Sequence, residues 1–210
     1  IRSGTATPED YEQISKIRSN YVPLIRCLRD SLKNFKDSKD LKGGKVVISR
    51  RIKRMPSIIK KIERFDTMKL SRIQDFGGVR VVLDTVTRVR KLSNRLKNET
   101  YRLKGKNNFV IVKEHDYIEK PKEDGYRSIH QIYKYQGNRY PELKGLNIEL
   151  QIRTVKQHQW ATAVEILDMI LNSSLKTGVA EPQKKNFSNC AVVLLHMKKI
   201  ITRCLNAMKI

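Results

Sequence analysis

Ile148-Glu149-Leu150-Gln151-Ile152-Arg153-Thr154 alternates strictly, with Ile148, Leu150 and Ile152 on one side and Glu149, Gln151 and Arg153 on the other. Such a strand has one face for a core and one Glu-Gln-Arg face suited to the wall of an active site. A strand's length earlier stands Asp116-Tyr117-Ile118-Glu119-Lys120-Pro121-Lys122-Glu123-Asp124-Gly125-Tyr126-Arg127-Ser128-Ile129-His130. It reads as a polar loop of lysine, glycine and tyrosine that opens into a second strand.

Working outward, apolar periodicity and turn residues give the remaining elements. Thr7-Pro8-Glu9-Asp10 is a helix start, with a hydroxyl cap, proline in the first turn and acids at the positive end of the dipole. Ile14, Ile17, Tyr21, Ile25, Leu28, Leu32 and Phe35 form one stripe of that helix, which Pro23 is expected to bend or interrupt. Helices are expected over residues 49–64, 87–101, 157–171 and 187–208, and strands over 79–83, 109–113, 127–135 and 148–153. This order predicts an α+β fold, a mixed sheet of four to five strands with helices on its faces. The expected organisation is a helical segment over 1–44, a core over 45–171, and a linker with a C-terminal helix over 172–210.

Of 210 residues, 44 are Lys or Arg and 21 are Asp or Glu, a net charge of +23. An imbalance of that size implies a polyanionic partner, such as nucleic acid, a phosphorylated nucleotide or an acidic protein. Cys27, Cys190 and Cys204 have no metal-type spacing and read as core thiols of a reducing cytoplasm. No apolar run reaches the ~18 residues of a membrane span, and no signal sequence opens the chain. The expectation is a soluble cytoplasmic protein.

The two quoted stretches resemble the synthetase domain of RelA/SpoT homologues, and the resemblance spans about residues 45 to 170. It implies a RelA/SpoT synthetase-like fold and transfer of pyrophosphate from ATP to a ribose 3′-hydroxyl. It further implies Mg²⁺ held by Asp75 and Glu149, with Glu149 also activating the acceptor hydroxyl. Two carboxylates from separate sheet positions suit one ion that also takes phosphate oxygens. Arg51-Ile52-Lys53-Arg54-Met55-Pro56-Ser57-Ile58 resembles the family's ATP segment, expected here at a helix start, with Arg51, Lys53 and Ser57 on ATP. Arg88 falls where the family has a second adenine-facing arginine, a place Arg90 could also take.

On the acceptor side the resemblance implies Lys122, a catalytic Tyr126 stacking on the base, and His130, Gln151 and Arg153 near phosphate or Glu149. Two positions depart from the alarmone-synthesising pattern. His115 stands for a usual lysine and Asp124 for a common asparagine, and a carboxylate at 124 is expected to repel a 5′-polyphosphate. Gln157-His158-Gln159-Trp160-Ala161-Thr162-Ala163-Val164-Glu165 is similar to toxic small alarmone-synthetase relatives acting on the 3′-terminal adenosine of tRNA. Between residues 33 and 64, twelve Lys or Arg face three acids, and Lys42, Lys45, Arg50 and Arg54 are expected to hold RNA phosphates.

The expected partners are therefore ATP and a tRNA acceptor end, with an acidic antitoxin if the product blocks translation. GDP or GTP as acceptor in an alarmone synthetase, and an idle RNA-binding module, are the alternatives. A second His/Asp set for a hydrolase domain is missing, so alarmone hydrolysis is not expected.

Overall fold

The computed structural model describes residues 6–36, 43–64, 76–98 and 108–170. The strand elements are β1 (Val46–Ile52), β2 (Gly77–Leu83), β3 (Phe109–Asp116), β4 (Ile129–Tyr135) and β5 (Asn147–Thr154). The helices are α1 (Pro8–Lys36), α2 (Met55–Arg64), α3 (Val86–Lys97) and α4 (Val155–Ile170). The five strands form one sheet in the order β1-β2-β5-β4-β3. β1 runs antiparallel to β2 and β4 antiparallel to β5. The expected α+β class, a mixed sheet with helices, is therefore the fold observed.

The chain divides into two compact units. The first holds the chain through His115 together with Ile129–Arg153, which is nearly the whole sheet. The second holds Asp116–Ser128 and the chain from Thr154 onward.

In the first unit, β5 lies between β2 and β4, and Ile148, Leu150 and Ile152 are fully buried. Each such side chain stabilises the fold by about 1.5–3 kcal/mol relative to exposure. Thr7 and Asp10 cap α1 reciprocally: the Asp10 N–H donates to Thr7 Oγ1 at 3.3 Å and the Thr7 N–H donates to Asp10 Oδ2 at 3.0 Å. The Thr7 N–H foremost, and the Thr7 hydroxyl with it, donate to the Asp10 carboxylate and hold it below its ordinary range. α1 continues through Pro23 without interruption, its buried Leu24, Ile25 and Leu28 supplying tertiary support that offsets the lost backbone bond. Thr85 caps α3 by accepting from the Arg88 N–H at 3.3 Å. α3 buries Val89, Leu92, Ser93 and Leu96.

Two expectations are corrected. Residues 46–52 are a strand, not the start of the 49–64 helix. Their β-branched run pairs with β2 in register from Val46↔Leu83 to Ile52↔Gly77. The helix begins only at Met55, because Pro56 fits a first turn and would break a helix interior. Gly77 and Gly78 belong to β2, which begins two residues before the expected strand over 79–83. A Cβ on Gly77 would come 2.7 Å from Ile25 Cδ1 and 2.9 Å from Tyr21 Cβ, so its absence lets α1 settle on the sheet. A Cβ on Gly78 would come 2.5 Å from the backbone oxygen of Glu149, so its absence lets β2 approach β5.

In the second unit, Thr154 and Gln157 form the reciprocal cap of α4. The Gln157 N–H donates to Thr154 Oγ1 at 3.2 Å, and the Thr154 N–H donates to Gln157 Oε1 at 2.9 Å. Trp160, Ala161 and Val164 are its buried apolar side chains.

Among the described residues, no helix is long and apolar enough to cross a membrane. The expected helix over 187–208 lies outside the described residues.

Candidate active site

The polar face of β5 is not open wall but a buried network: Glu149, Gln151 and Arg153 are 8%, 5% and 2% exposed. Strand register explains who meets whom. In an antiparallel pair, residues opposite each other project to the same face, and His130 lies opposite Gln151. His130 Nδ1 stands 2.7 Å from Glu149 Oε1. Gln151 Nε2 donates to Glu149 Oε2 at 2.7 Å. From β1, Arg51 Nη1 donates to the same oxygen at 3.3 Å. From β2, Arg80 Nε donates to Gln151 Oε1 at 3.2 Å, which orients the amide so that its NH₂ faces Glu149.

Four of the expected residues, Arg51, Glu149, Gln151 and His130, are thus brought together, with Arg153 on the same strand face. Arg51 reaches Glu149 from a strand rather than from the expected helix start. Arg80 was missed as a site residue. Its signal was the alternation of β2, which sets one arginine in an otherwise apolar Gly77–Leu83 run. The carboxylate is held by three donors, and the surrounding charge is positive. Such a face is built to receive an anion.

The other expected ATP residues are not part of this network. Lys53 lies between β1 and α2, its N–H donating to Phe76 O at 2.8 Å and its carbonyl accepting from Arg18 Nε at 3.1 Å. Ser57 is exposed in the first turn of α2. Arg88 Nη1 is paired with Asp84 Oδ1 at 2.7 Å. That hydrogen bond holds the Asp84 carboxyl below its usual range. Lys45, Arg50 and Arg54 are exposed, Arg50 on the sheet face opposite to Arg51. Asp75 and Lys42 lie outside the described residues.

For Mg²⁺, the described residues contain no group of three or more His, Cys, Asp or Glu able to hold a metal ion. Glu149 Oε1 faces His130 and Oε2 faces Gln151 and Arg51, and the expected second carboxylate, Asp75, lies outside the described residues.

In the second unit, the 116–128 loop is tightly bonded. Asp116 Oδ1 accepts from the N–H groups of Ile118 and Glu119 at 2.9 and 3.0 Å. Asp124 Oδ1 accepts from the Tyr126 N–H at 2.9 Å. Lys122 Nζ lies 4.6 Å from the Tyr117 ring centroid and 5.3 Å from that of Tyr126. The two rings meet edge to face at 6.1 Å. The expected pair Lys122 and Tyr126 therefore forms one cation–aromatic cluster, joined by Tyr117, with the lysine exposed and both rings half-buried. Asp124 also serves the loop itself, since its carboxylate accepts from the Tyr126 backbone.

Known proteins share this architecture. The crystal structure of small alarmone synthetase 2 from Bacillus subtilis superposes with a TM-score of 0.64 at 22% identity, covering 92% of this chain and 98% of that one. Small alarmone synthetase 1 from Bacillus subtilis, bound to its product pppGpp, gives 0.59 at 25% identity, covering 75% and 82%. Among curated proteins, GTP pyrophosphokinase YwaC of Bacillus subtilis is 29% identical over 140 residues. That alignment covers 64% of this chain and 63% of the relative, so the chain spans less than two thirds of the length of YwaC. The family described as a region found in RelA / SpoT proteins matches residues 50–167. The chain belongs to that RelA/SpoT family.

Proposed function

We propose that this chain is a pyrophosphokinase that moves the β,γ-pyrophosphate of ATP to a ribose 3′-hydroxyl. The observation that carries this reading is Glu149, fixed by His130, Gln151 and Arg51 within an arginine-rich face of the sheet. The acceptor oxygen forms a bond to the β-phosphorus in line, the bond from that phosphorus to the oxygen bridging to the α-phosphate breaks, and AMP leaves. Glu149 takes the hydroxyl proton, and Arg51, Arg80 and Arg153 offset the charge that develops on the transferred group. Lys53, Ser57 and Arg88 are assigned to ATP, and Lys122 and Tyr126 to the acceptor. Mg²⁺, assigned to Asp75 and Glu149, would supply further neutralisation of the triphosphate.

The favoured acceptor is the 3′-terminal adenosine of tRNA, giving a translation-blocking toxin that needs an acidic neutralising partner. Its support is the basic strip over residues 33–64, whose Lys45, Arg50 and Arg54 are exposed. His115 and Asp124 support the same reading, since an asparagine at 124 would make the same turn without the negative charge that repels a 5′-polyphosphate. A second reading, an alarmone synthetase using GDP or GTP, is favoured by the relatives, which are a GTP pyrophosphokinase and a pppGpp-bound synthetase.

The test supplies β-labelled ATP with deacylated tRNA, GDP and GTP in parallel. Label on tRNA is the expected result. Label only in guanosine tetra- or pentaphosphate would replace the tRNA reading by the alarmone one. Salt-sensitive RNA binding without any AMP release would leave an RNA-binding module.

A further inference from the structure

Trp160 is the only tryptophan of the chain, and it is 8% exposed. Its indole meets the acceptor-side loop in two ways. Nε1–H donates to the carbonyl of Asp124 at 3.2 Å. The ring also fills the space beside Gly125, where a Cβ would lie 3.3–3.4 Å from Cζ2, Cε2 and Nε1. Gly125 has φ +75°, which side chains rarely adopt, so any larger residue there is strained and crowds the ring.

The two residues that the indole fixes lie directly between Lys122 and Tyr126. The same short segment is closed by three further bonds: Gly125 N–H to Lys122 O at 2.9 Å, Lys122 N–H to Tyr126 O at 3.3 Å, and Tyr126 N–H to Asp124 Oδ1 at 2.9 Å. Any rotation of the Asp124–Gly125 peptide must therefore move the tyrosine ring and the ammonium together. α4, which carries Trp160, is itself anchored at its start by the Thr154–Gln157 cap.

We propose that Trp160 is a positioning residue for the acceptor, setting the Lys122–Tyr126 segment in its binding geometry through Asp124 and Gly125. The proposal rests on the assignment of Lys122 and Tyr126 to the acceptor. If the indole is removed, the segment samples other conformations and the competent fraction falls. Apparent affinity for the acceptor falls by that same fraction, while ATP, bound by other residues, is unaffected. Because Trp160 touches the segment, its fluorescence also reports acceptor binding.

The experiment measures steady-state AMP release with GDP, GTP and deacylated tRNA varied at saturating ATP. Wild type is compared with Trp160→Phe, which keeps a ring but loses the donor, and with Gly125→Ala. The KM for the acceptor used should rise roughly five- to tenfold in Trp160→Phe, with kcat and the ATP KM nearly unchanged. Gly125→Ala should show the same signature. A lowered melting temperature with an unchanged acceptor KM would mean a structural tryptophan and overturn the proposal. So would equal rises in both KM values. In the wild-type protein, adding acceptor without ATP should change Trp160 emission, and Tyr126→Ala should abolish the change. No emission change at acceptor concentrations above KM overturns the proposal even if neither variant folds. Wild-type protein that releases no AMP with any of the three acceptors overturns the pyrophosphokinase reading instead.

Discussion

The β4–β5 pair carries a buried polar cluster on each face, and the two are built on opposite rules. On one face, Glu149 is ringed by His130, Gln151 and Arg51, with Arg80 behind Gln151. On the other, Gln131 Nε2 donates to Glu114 Oε2 at 2.7 Å and to Ser93 Oγ at 2.9 Å, while Tyr133 O–H donates to Gln131 Oε1 at 2.8 Å. There Glu114 is balanced by one lysine, Lys97, at 2.6 Å. The Gln131 cluster is electrically even and consists of side chains that satisfy one another. The Glu149 cluster sets two arginines, Arg51 from β1 and Arg80 from β2, around one carboxylate and its glutamine. A neutral closed network specifies packing, whereas an excess of buried or half-buried positive charge stands ready for an anionic ligand.

The largest expected effect tests that division directly. Glu149→Gln keeps the shape and the hydrogen-bonding reach of the side chain but cannot take a proton. AMP release should fall by about 10²–10⁴-fold with the melting temperature nearly unchanged. Retained turnover would remove Glu149 from the chemistry and leave both clusters structural.

Gln131→Leu probes the other face. It strips partners from the Ser93 hydroxyl, the Glu114 carboxylate and the Tyr133 hydroxyl at once, and should cost about 1–3 kcal/mol in urea unfolding. The ATP KM of the folded variant should not move. A selective rise in that KM would show that the two faces are coupled and that the comparison fails.

The contrast between the faces was only half legible in the sequence. Alternation in 148–153 separated Ile148, Leu150 and Ile152 from Glu149, Gln151 and Arg153, because a strand's period of two is a local property. The pairing of His130 with Glu149 depends on strand register, which no local pattern supplies. Gln131 and Tyr133 passed as ordinary strand residues, since the partners of Gln131 that close the cluster, Ser93 and Glu114, come from α3 and β3. β1 was merged into a helix because four apolar residues at helical spacing, Met55, Ile58, Ile59 and Ile62, follow it, although Pro56 marked the true boundary. Gly77 and Gly78 fell outside the expected strand over 79–83 because their purpose, close approach of Ile25 on one side and the Glu149 backbone on the other, exists only in the folded chain. The loop over 116–128 was legible as a motif, but the role of Asp124 was not, since a turn and a phosphate neighbour use the same residue types.

The even charge of the Gln131 cluster should also show in its pH dependence. Burial, and secondarily the charge of Glu114, push the Tyr133 hydroxyl far above its ordinary value of 10.0. The folded state therefore holds the proton more tightly than the unfolded chain. The resulting stability is complete below pH 10 and is lost as pH rises toward the folded-state value. Thermal unfolding of the wild type should weaken above about pH 10, the range in which an unfolded tyrosine ionises. Tyr133→Phe should lose about 1 kcal/mol at neutral pH for the missing bond to Gln131, but should have a flatter alkaline limb. Parallel alkaline limbs in the two proteins would mean that Tyr133 is not the group responsible.

The smallest effect is expected at the rim of the same cluster. Lys97 is 42% exposed in its side chain and Glu114 20%, so solvent screens their ion pair. Glu114 also keeps two other donors, Ser93 Oγ at 2.9 Å and Gln131 Nε2 at 2.7 Å, both on Oε2. Lys97→Met should therefore cost only about 0.5–1 kcal/mol in urea unfolding, and added salt should shrink the difference between the variant and wild type. Kinetic constants should be unchanged. A loss as large as that of Gln131→Leu would show that Glu114 depends on the lysine charge rather than on its neutral donors. The Gln131 cluster would then be a charge-compensated site like that of Glu149, and net charge would no longer separate the two faces.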